Sequence, residues 1–440
     1  MPSARSTPAP QALSRALRVF GRVEAAEAPT VLLLLANAFV LLVAYYVLKT
    51  AREPLILGSG GAELKSYASA FQAAALVAFV PAYGWLSSRV DRRRLIVAVL
   101  LFFIVNVETF YLGSVERVPH LGFAFFVWVG IFSVASIALF WSYANDLYGP
   151  EAGERLFPVI ALGAALGSPI GAWLAEALFE RGVTAFELLH VGAALLAVHL
   201  ALYLVVERRE RRRRRSPQAA LPKGPGGFAL VARNPYLRAI AALLVLLNLV
   251  NTLGEYVLGR SVVLAAQLAV EENPALSVSA YIGAFYGRFF FWVNVLAVAL
   301  QAFFVSRLVK HLGMAGVLFA LPAVAFGAYG LVAAGAGLAV IRWAKTAENA
   351  VDYSVMNTGK QMLWLATTRE EKYKAKQAID TFFVRAGDVL AAALVYLGTH
   401  WVGGGVERFG AVNLVLVLAW AAIAWTILRR YRSLCASCQP

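Results

Sequence analysis

Long apolar runs, each near the length a helix needs to cross a bilayer, govern what this chain can become. Such runs recur along the sequence, separated by short charged strings, and roughly 20 apolar residues in a helix cover about 30 Å of hydrocarbon. The runs are continuously apolar instead of alternating, so they predict helices and not the strands of a membrane β-barrel. Charged residues make up only 15% of the 440 residues and hydrophobic ones 60%; a soluble domain carries about 25% charged residues. The class that follows is an all-α polytopic membrane protein.

Twelve spans are predicted. The first six are 30–48, 67–88, 94–112, 121–147, 156–178 and 187–206, and the second six are 239–259, 281–306, 312–333, 335–358, 376–398 and 408–429. Residues 1–29 form an N-terminal extension without the apolar core of a signal peptide, 207–238 a basic linker, and 430–440 a C-terminal tail. Arginine concentrates on alternate connections: Arg89 to Arg94, the linker, and the Thr358 to Lys376 segment. The positive-inside rule then places both termini in the cytoplasm. The formal charge of +15 is explained by those loops, so nucleic acid is not an expected partner, whereas anionic lipid headgroups fit the linker. Cys435 and Cys438 end a polar tail with no further ligands nearby, which predicts neither a metal site nor a redox pair. No cofactor is expected, and a monomer suffices.

The linker splits the chain into two six-span halves with weak internal similarity. "PAYGWLSSRVDRRRL" follows the second span and "LQAFFVSRLVKHLG" the eighth. Paired six-span repeats that rock about a central site are the layout of major-facilitator transporters.

Ionisable residues inside spans are costly and mark cavities or partners. At the end of the first span Lys49, Arg52 and Glu53 precede Pro54. Lys49 and Glu53 are spaced to pair at i,i+4, either as a snorkelling pair at the interface or as part of a binding site. Asn248, Asn251 and Glu255 make a polar stripe on the seventh span, either a cavity wall or a set of interhelical hydrogen bonds. Arg342, Lys345, Glu348 and Asp352 recur at spacings of three and four on the tenth. Asp380, Arg385 and Asp388 interrupt the eleventh, Arg288 the eighth, and Glu108 closes the third beside Asn106. Arg385 and Asp388 form either a structural pair or one that rearranges during transport. Several cations in a partly desolvated cavity attract phosphate or carboxylate; the carboxylates offset them and can couple transport. Gly163, Gly167 and Gly171, spaced by four, read as a close-packing seam. No phosphate-cradling GxxxxGK[ST] run is present, and no nucleophile–base or metal constellation suggests an enzyme.

Four blocks carry a resemblance: "YYVLKTAREPLIL", "FFVWVGIFSVASIALFWSYANDLYGPEAGERLFPVIALGAALGS", "NLVNTLGEYVLGR" and "DYSVMNTGKQMLWLATTREEKYKAKQAIDTFFVRAGD". Together they resemble the nucleotide transporter family of plastids and obligate intracellular bacteria, the ATP/ADP antiporter type, and more nearly its free-living bacterial relatives. The resemblance implies twelve spans of major-facilitator fold and exchange of nucleotides across a membrane. It matches the family's first-span lysine to Lys49, its seventh-span carboxylate to Glu255, and a lysine leading into the eleventh span to Lys374 or Lys376. The family's fourth-span carboxylate falls at Gly130, a departure that puts charge balance and coupling in question. The expected substrate-binding residues are Lys49, Arg52, Arg342, Lys345, Lys374, Lys376 and Arg385. Those expected to couple or gate are Glu53, Glu255, Glu348, Asp352, Asp388 and Arg288. Two other functions fit the same composition: proton-coupled export of organic solutes, with Glu255 or Glu348 carrying the proton, and a lipid-interacting scaffold or scramblase.

Overall fold

The computed structural model describes residues 23–87, 89–148, 150–210, 226–368 and 370–436, and within these it contains helices and no strands. The linker arginines Arg211 to Arg215 and Cys438 lie outside the described residues, and nothing is described of the Cys435 side chain. The first series comprises α1 (Ala28–Ser87), α2 (Arg92–Val115), α3 (Leu121–Leu147), α4 (Pro150–Glu180) and α5 (Glu187–Glu210). A short α6 (Gly227–Arg233) leads into the second series. There α7 (Pro235–Glu272), α8 (Val278–Ala299) and α9 (Val305–Ala333) are long, whereas α10 (Leu338–Val351), α11 (Asn357–Leu363) and α12 (Lys376–Ala378) are short pieces of longer rods. The series ends with α13 (Val384–His400) and α14 (Val406–Ala436).

Eight stretches among the described residues are long and apolar enough to cross a membrane. Two of these, Ala28–Leu86 and Val278–Ala333, are of double length, and glycine breaks the helix within each, at Gly60–Gly61 and at Gly313. The other two expected spans are the helical segments 338–366 and 370–400, which charge and π-turns keep out of the eight.

Several boundaries differ from expectation for one reason. Ionisable residues were taken to end a span, but paired charges continue inside the helix. The helix of α1 runs through Lys49, Arg52, Glu53 and Pro54 and turns only where Gly61 adopts φ +68°, a left-handed conformation that suits glycine. The loop expected at Arg307 to His311 is helical, with the break at Gly313. Helix also fills most of the segment expected as a loop from Thr358 to Lys376. The fifth helix of the first series reaches Glu210, so part of the expected linker is helix: buried Glu210 accepts from Thr30 at 2.6 Å, and Tyr143 donates to Glu207 at 3.2 Å.

Successive limbs run antiparallel. At one end, the basic end, Arg155 meets Glu27 at 3.1 Å and Asn234 meets Glu371 at 2.7 Å. At the opposite, distal end, Glu63 meets Thr399 at 3.3 Å. The glycine seam packs α4 on the first limb of α1. A Cβ at Gly163, Gly167 or Gly171 would sit 2.1, 2.4 or 2.6 Å from the carbonyl oxygens of Leu35, Phe39 and Val43. The other side of α4 receives α8, where Gly283 faces the Phe179 ring and Gly287 the backbone of Glu176. One helix of the first series is thereby sandwiched between its own α1 and the second series. Gly167→Ala, forced against a backbone oxygen, is expected to cost about 1–3 kcal/mol and lower the thermal midpoint in detergent by several degrees. Gly327→Ala, where nothing lies within 4 Å, is expected to leave it in place. An unchanged midpoint for Gly167→Ala would refute the seam.

Candidate functional site

The helical continuity of α1 carries its charges to mid-bundle. Glu53 is fully buried and is held from two sides, by Arg52 Nη2 at 2.5 Å and by Lys65 Nζ at 2.7 Å. Lys65 belongs to the second limb, beyond the glycine turn, so this carboxylate clamps the two limbs together. Lys65 also reaches the second series, lying 3.4 Å from Glu255 and 3.5 Å from the Tyr286 hydroxyl. Glu255 accepts in addition from Asn349 Nδ2 at 3.3 Å. Along α10, Lys345 pairs with Glu348 at 3.0 Å and donates to Asn251 at 3.1 Å. The Tyr329 hydroxyl lies 2.9 and 3.0 Å from the two oxygens of Glu348. These contacts form one continuous network from α1 through α7 to α10.

Lys49 differs from the rest. Its Nζ lies 4.3 Å from the Phe290 ring centroid, 5.0 Å from Tyr46 and 5.9 Å from Tyr45, and no carboxylate pairs with it among the described residues. Ring faces stabilise a cation by about 0.5–2 kcal/mol, less than a charge-assisted bond to an anion provides in a buried site. Arg52 likewise rests on the Phe126 ring, 4.2 Å from its centroid. The centre holds four cations, Lys49, Arg52, Lys65 and Lys345, against three carboxylates, Glu53, Glu255 and Glu348. A positive excess with one cation held only by rings can receive an anion.

The remaining expected residues lie elsewhere. The pair expected between Lys49 and Glu53 does not form, because Arg52 and Lys65 take the carboxylate. Arg342 stacks on Trp343, 5.2 Å from its centroid. Lys374 pairs with Glu370 at 2.9 Å and Lys376 donates to Gln361 at 2.8 Å, both at the basic end. Asp352 pairs with Lys360 at 3.1 Å. With Asn248, Asn251, Lys376 and Asp380 these two line a cavity of about 280 Å³. Two π-turns, Asp352–Met356 and Ile379–Phe383, contribute residues to that lining. Arg385 pairs with Asp388 at 3.3 Å, and Thr252 donates to Asp388 at 2.8 Å. Arg288 bridges the series by pairing with Glu176 at 2.6 Å and Glu180 at 2.9 Å. Glu108 meets His190 of α5 at 2.8 Å. A volume of about 890 Å³ at the distal end is lined by Gly61, Glu63, Tyr256, Arg260, Thr399 and Glu407, apart from the ionic centre.

Sequence reasoning missed Lys65, Tyr286, Phe290, Tyr329 and Asn349. The tyrosines and Phe290 sit in apolar runs where an aromatic is unremarkable, and Lys65 sits in a polar string that reads as a loop. The described ion pairs between the two series lie from the network toward the distal end: Lys65 with Glu255, Arg288 with Glu176 and Glu180, and His400 with Glu63.

Residues 30–353 match the Major Facilitator Superfamily. The chain is 23% identical over 460 residues to the ADP,ATP carrier protein 1 of Chlamydia muridarum (strain MoPn / Nigg), covering 86% of this chain and 84% of the carrier. The carrier of the same name from Chlamydia trachomatis serovar D is 23% identical over 455 residues, covering 86% and 83%. The fold of this chain is similar to that of a bacterial homolog of the human lysosomal transporter Spinster, solved in an inward-facing and unoccupied conformation. The TM-score is 0.63 at 12% identity, over 93% of this chain and 98% of that one.

The Lys345–Glu348 pair gives a test of the network. Removing one member of a buried pair strands the other charge at a cost of about 3–5 kcal/mol, whereas removing both is far milder. Lys345→Met is expected to destabilise the detergent-solubilised protein severely, and the double variant Lys345→Met/Glu348→Gln to recover most of the lost thermal midpoint. Additive losses would show that the two side chains are not paired.

Proposed function

This chain belongs to the Major Facilitator Superfamily, and from that premise we propose that it exchanges nucleotides of the ATP/ADP type across a membrane by alternating access. The observation that carries the reading is Lys49, a cation at the junction of the two series held by three ring faces and by no described carboxylate. Similarity to ADP,ATP carriers along most of the chain supports the choice of nucleotide over other anions.

In this reading the solute enters between the series from the basic end, which faces the cytoplasm of a bacterial cell and carries the arginine-rich connections. Its phosphate draws Lys49 from the rings and engages Arg52, while Lys345 is the deeper cation across the cleft. Release on the distal side requires the Lys65–Glu255 and Arg288–Glu176/Glu180 contacts to part. A solute drives that exchange only by binding the transition between states more tightly than either open form. The working unit is a monomer. Arg342, Lys374, Lys376 and Arg385 are peripheral, and Asp352 and Asp388 act through the lysine and arginine they already hold.

Counter-exchange in proteoliposomes tests this directly. Labelled ATP outside is expected to enter only when ATP or ADP is inside. Lys49→Gln is expected to reduce that uptake on the order of tenfold or more while the thermal midpoint stays within a few degrees. Normal uptake by folded Lys49→Gln would remove Lys49 from the site. Uptake that ignores internal nucleotide and collapses with the pH gradient would favour proton-coupled transport.

A further inference from the structure

Gln72 stands out among the side chains that the ionic network leaves unused. Its Oε1 is buried without a hydrogen-bond partner, and leaving a buried acceptor unmet is costly. The carboxamide occupies the space beside Gly130 on α3: a Cβ at that glycine would lie 2.0 Å from Gln72 Cδ, 2.2 Å from Oε1 and 2.5 Å from Nε2. The absence of a side chain at residue 130 therefore admits the amide.

Two further placements locate the amide relative to the ionic network. Gln72 follows Lys65 by seven residues on the uninterrupted second limb of α1, so both lie on one helix face, about 10 Å apart along the axis. Between them Ala68, fully buried, packs into the core of the second series. Lys65 looks across the junction at Glu255 and Tyr286; Gln72 stands two turns nearer the basic end on the same face. On α3, Gly130 follows Phe126 by four residues, and Phe126 carries the Arg52 guanidinium on its ring. A glutamine and a cation thus lie on neighbouring turns of one wall.

We propose that Gln72 is a specificity-determining residue that hydrogen-bonds the uncharged, donor- and acceptor-bearing end of a solute whose anionic end is held by Lys49 and Arg52. For the nucleotide proposed above, on which this inference rests, that end is the base. A carboxamide offers one donor and one acceptor side by side and reads a base edge in bidentate fashion. Its terminal torsion is soft, so the buried oxygen turns toward a ligand at little cost.

The test uses full-length protein in proteoliposomes loaded with ATP, with uptake of labelled ATP competed by ATP, GTP, CTP, UTP and tripolyphosphate. The wild-type protein is expected to rank the four nucleotides over at least a tenfold range. Gln72→Leu, similar in volume, is expected to compress that range by roughly tenfold and leave inhibition by tripolyphosphate unchanged. Gln72→Asn, which keeps the amide but shortens its reach, is expected to reorder the ranking and serves if the leucine variant does not fold. A general loss of packing would weaken every competitor alike, tripolyphosphate included, and would overturn the assignment. So would an unchanged ranking in a folded variant, or a wild-type protein indifferent to the base. Failure of wild type to take up any nucleotide would instead overturn the transport reading, and this inference with it.

Discussion

A single buried carboxylate organises the molecule. Glu53 has no access to solvent, and a lone ion there would cost several kcal/mol. It is tolerated because Arg52 and Lys65 approach it from either side. That arrangement needs the chain to reverse direction between residues 53 and 65, which the turn at Gly60–Gly61 accomplishes. Once Lys65 is fixed by Glu53, its ammonium is also within reach of Glu255 and Tyr286 on α7 and α8. The ion pair that closes the α1 hairpin therefore also registers the first series against the second.

The close approach of α4 and α1 serves the same centre by a different force. Lipid is as apolar as leucine, so apolar side chains gain little by facing one another in a membrane, and helix association rests on packing and hydrogen bonds. Three glycines let α4 lie directly on the carbonyl oxygens of residues 35, 39 and 43. The next turns of α1 present Tyr45, Tyr46 and Lys49, and Phe290 of α8 completes the aromatic surround. Since α8 also packs on α4 through Gly283 and Gly287, the distance from Phe290 to Lys49 is set by small residues on α4 and α8 more than by contacts of its own.

How far the sequence revealed this depends on whether a feature is local. The glycine seam was legible because its partners repeat every four residues, as the glycines do. The Asn248, Asn251 and Glu255 stripe was legible as polar positions on one helix face. All three make interhelical hydrogen bonds, and Asn248 and Asn251 also line the cavity of about 280 Å³. Lys65 was not legible, because what makes it tolerable inside the bundle is Glu53 on the opposite limb of a helix turn and Glu255, 190 positions away. The same blindness shortened the first span: a window that counts charges cannot know that Glu53 is paired with both Arg52 and Lys65. The Arg342, Lys345, Glu348 and Asp352 series was read as one functional face, yet it divides. Lys345 and Glu348 enter the network, Arg342 stacks on a half-exposed tryptophan, and Asp352 turns to Lys360 where the helix widens into a π-turn. Such a widening rotates all later residues relative to α-helical spacing, so a spacing rule fails beyond it.

The mixture of charges at the centre has its own logic on the proposed reading. An anion carrier with four bare lysines and arginines would hold its solute too tightly to release it and would repel itself when empty. Three carboxylates leave a small positive excess, so a polyphosphate that engages Lys49 and Arg52 brings more negative charge than the centre lacks. Some existing pair must then loosen. Glu53 is fully enclosed, and Lys345 with Glu348 is shielded on every side, but Glu255 retains partial exposure and its ion pair with Lys65 is the longest in the network at 3.4 Å. It is also the network's ion pair that joins the two series. On the proposed reading, the pair that yields most readily to an arriving anion is thus one of those that must part, with Arg288 and its two glutamates, before the series move, which couples loading to reorientation.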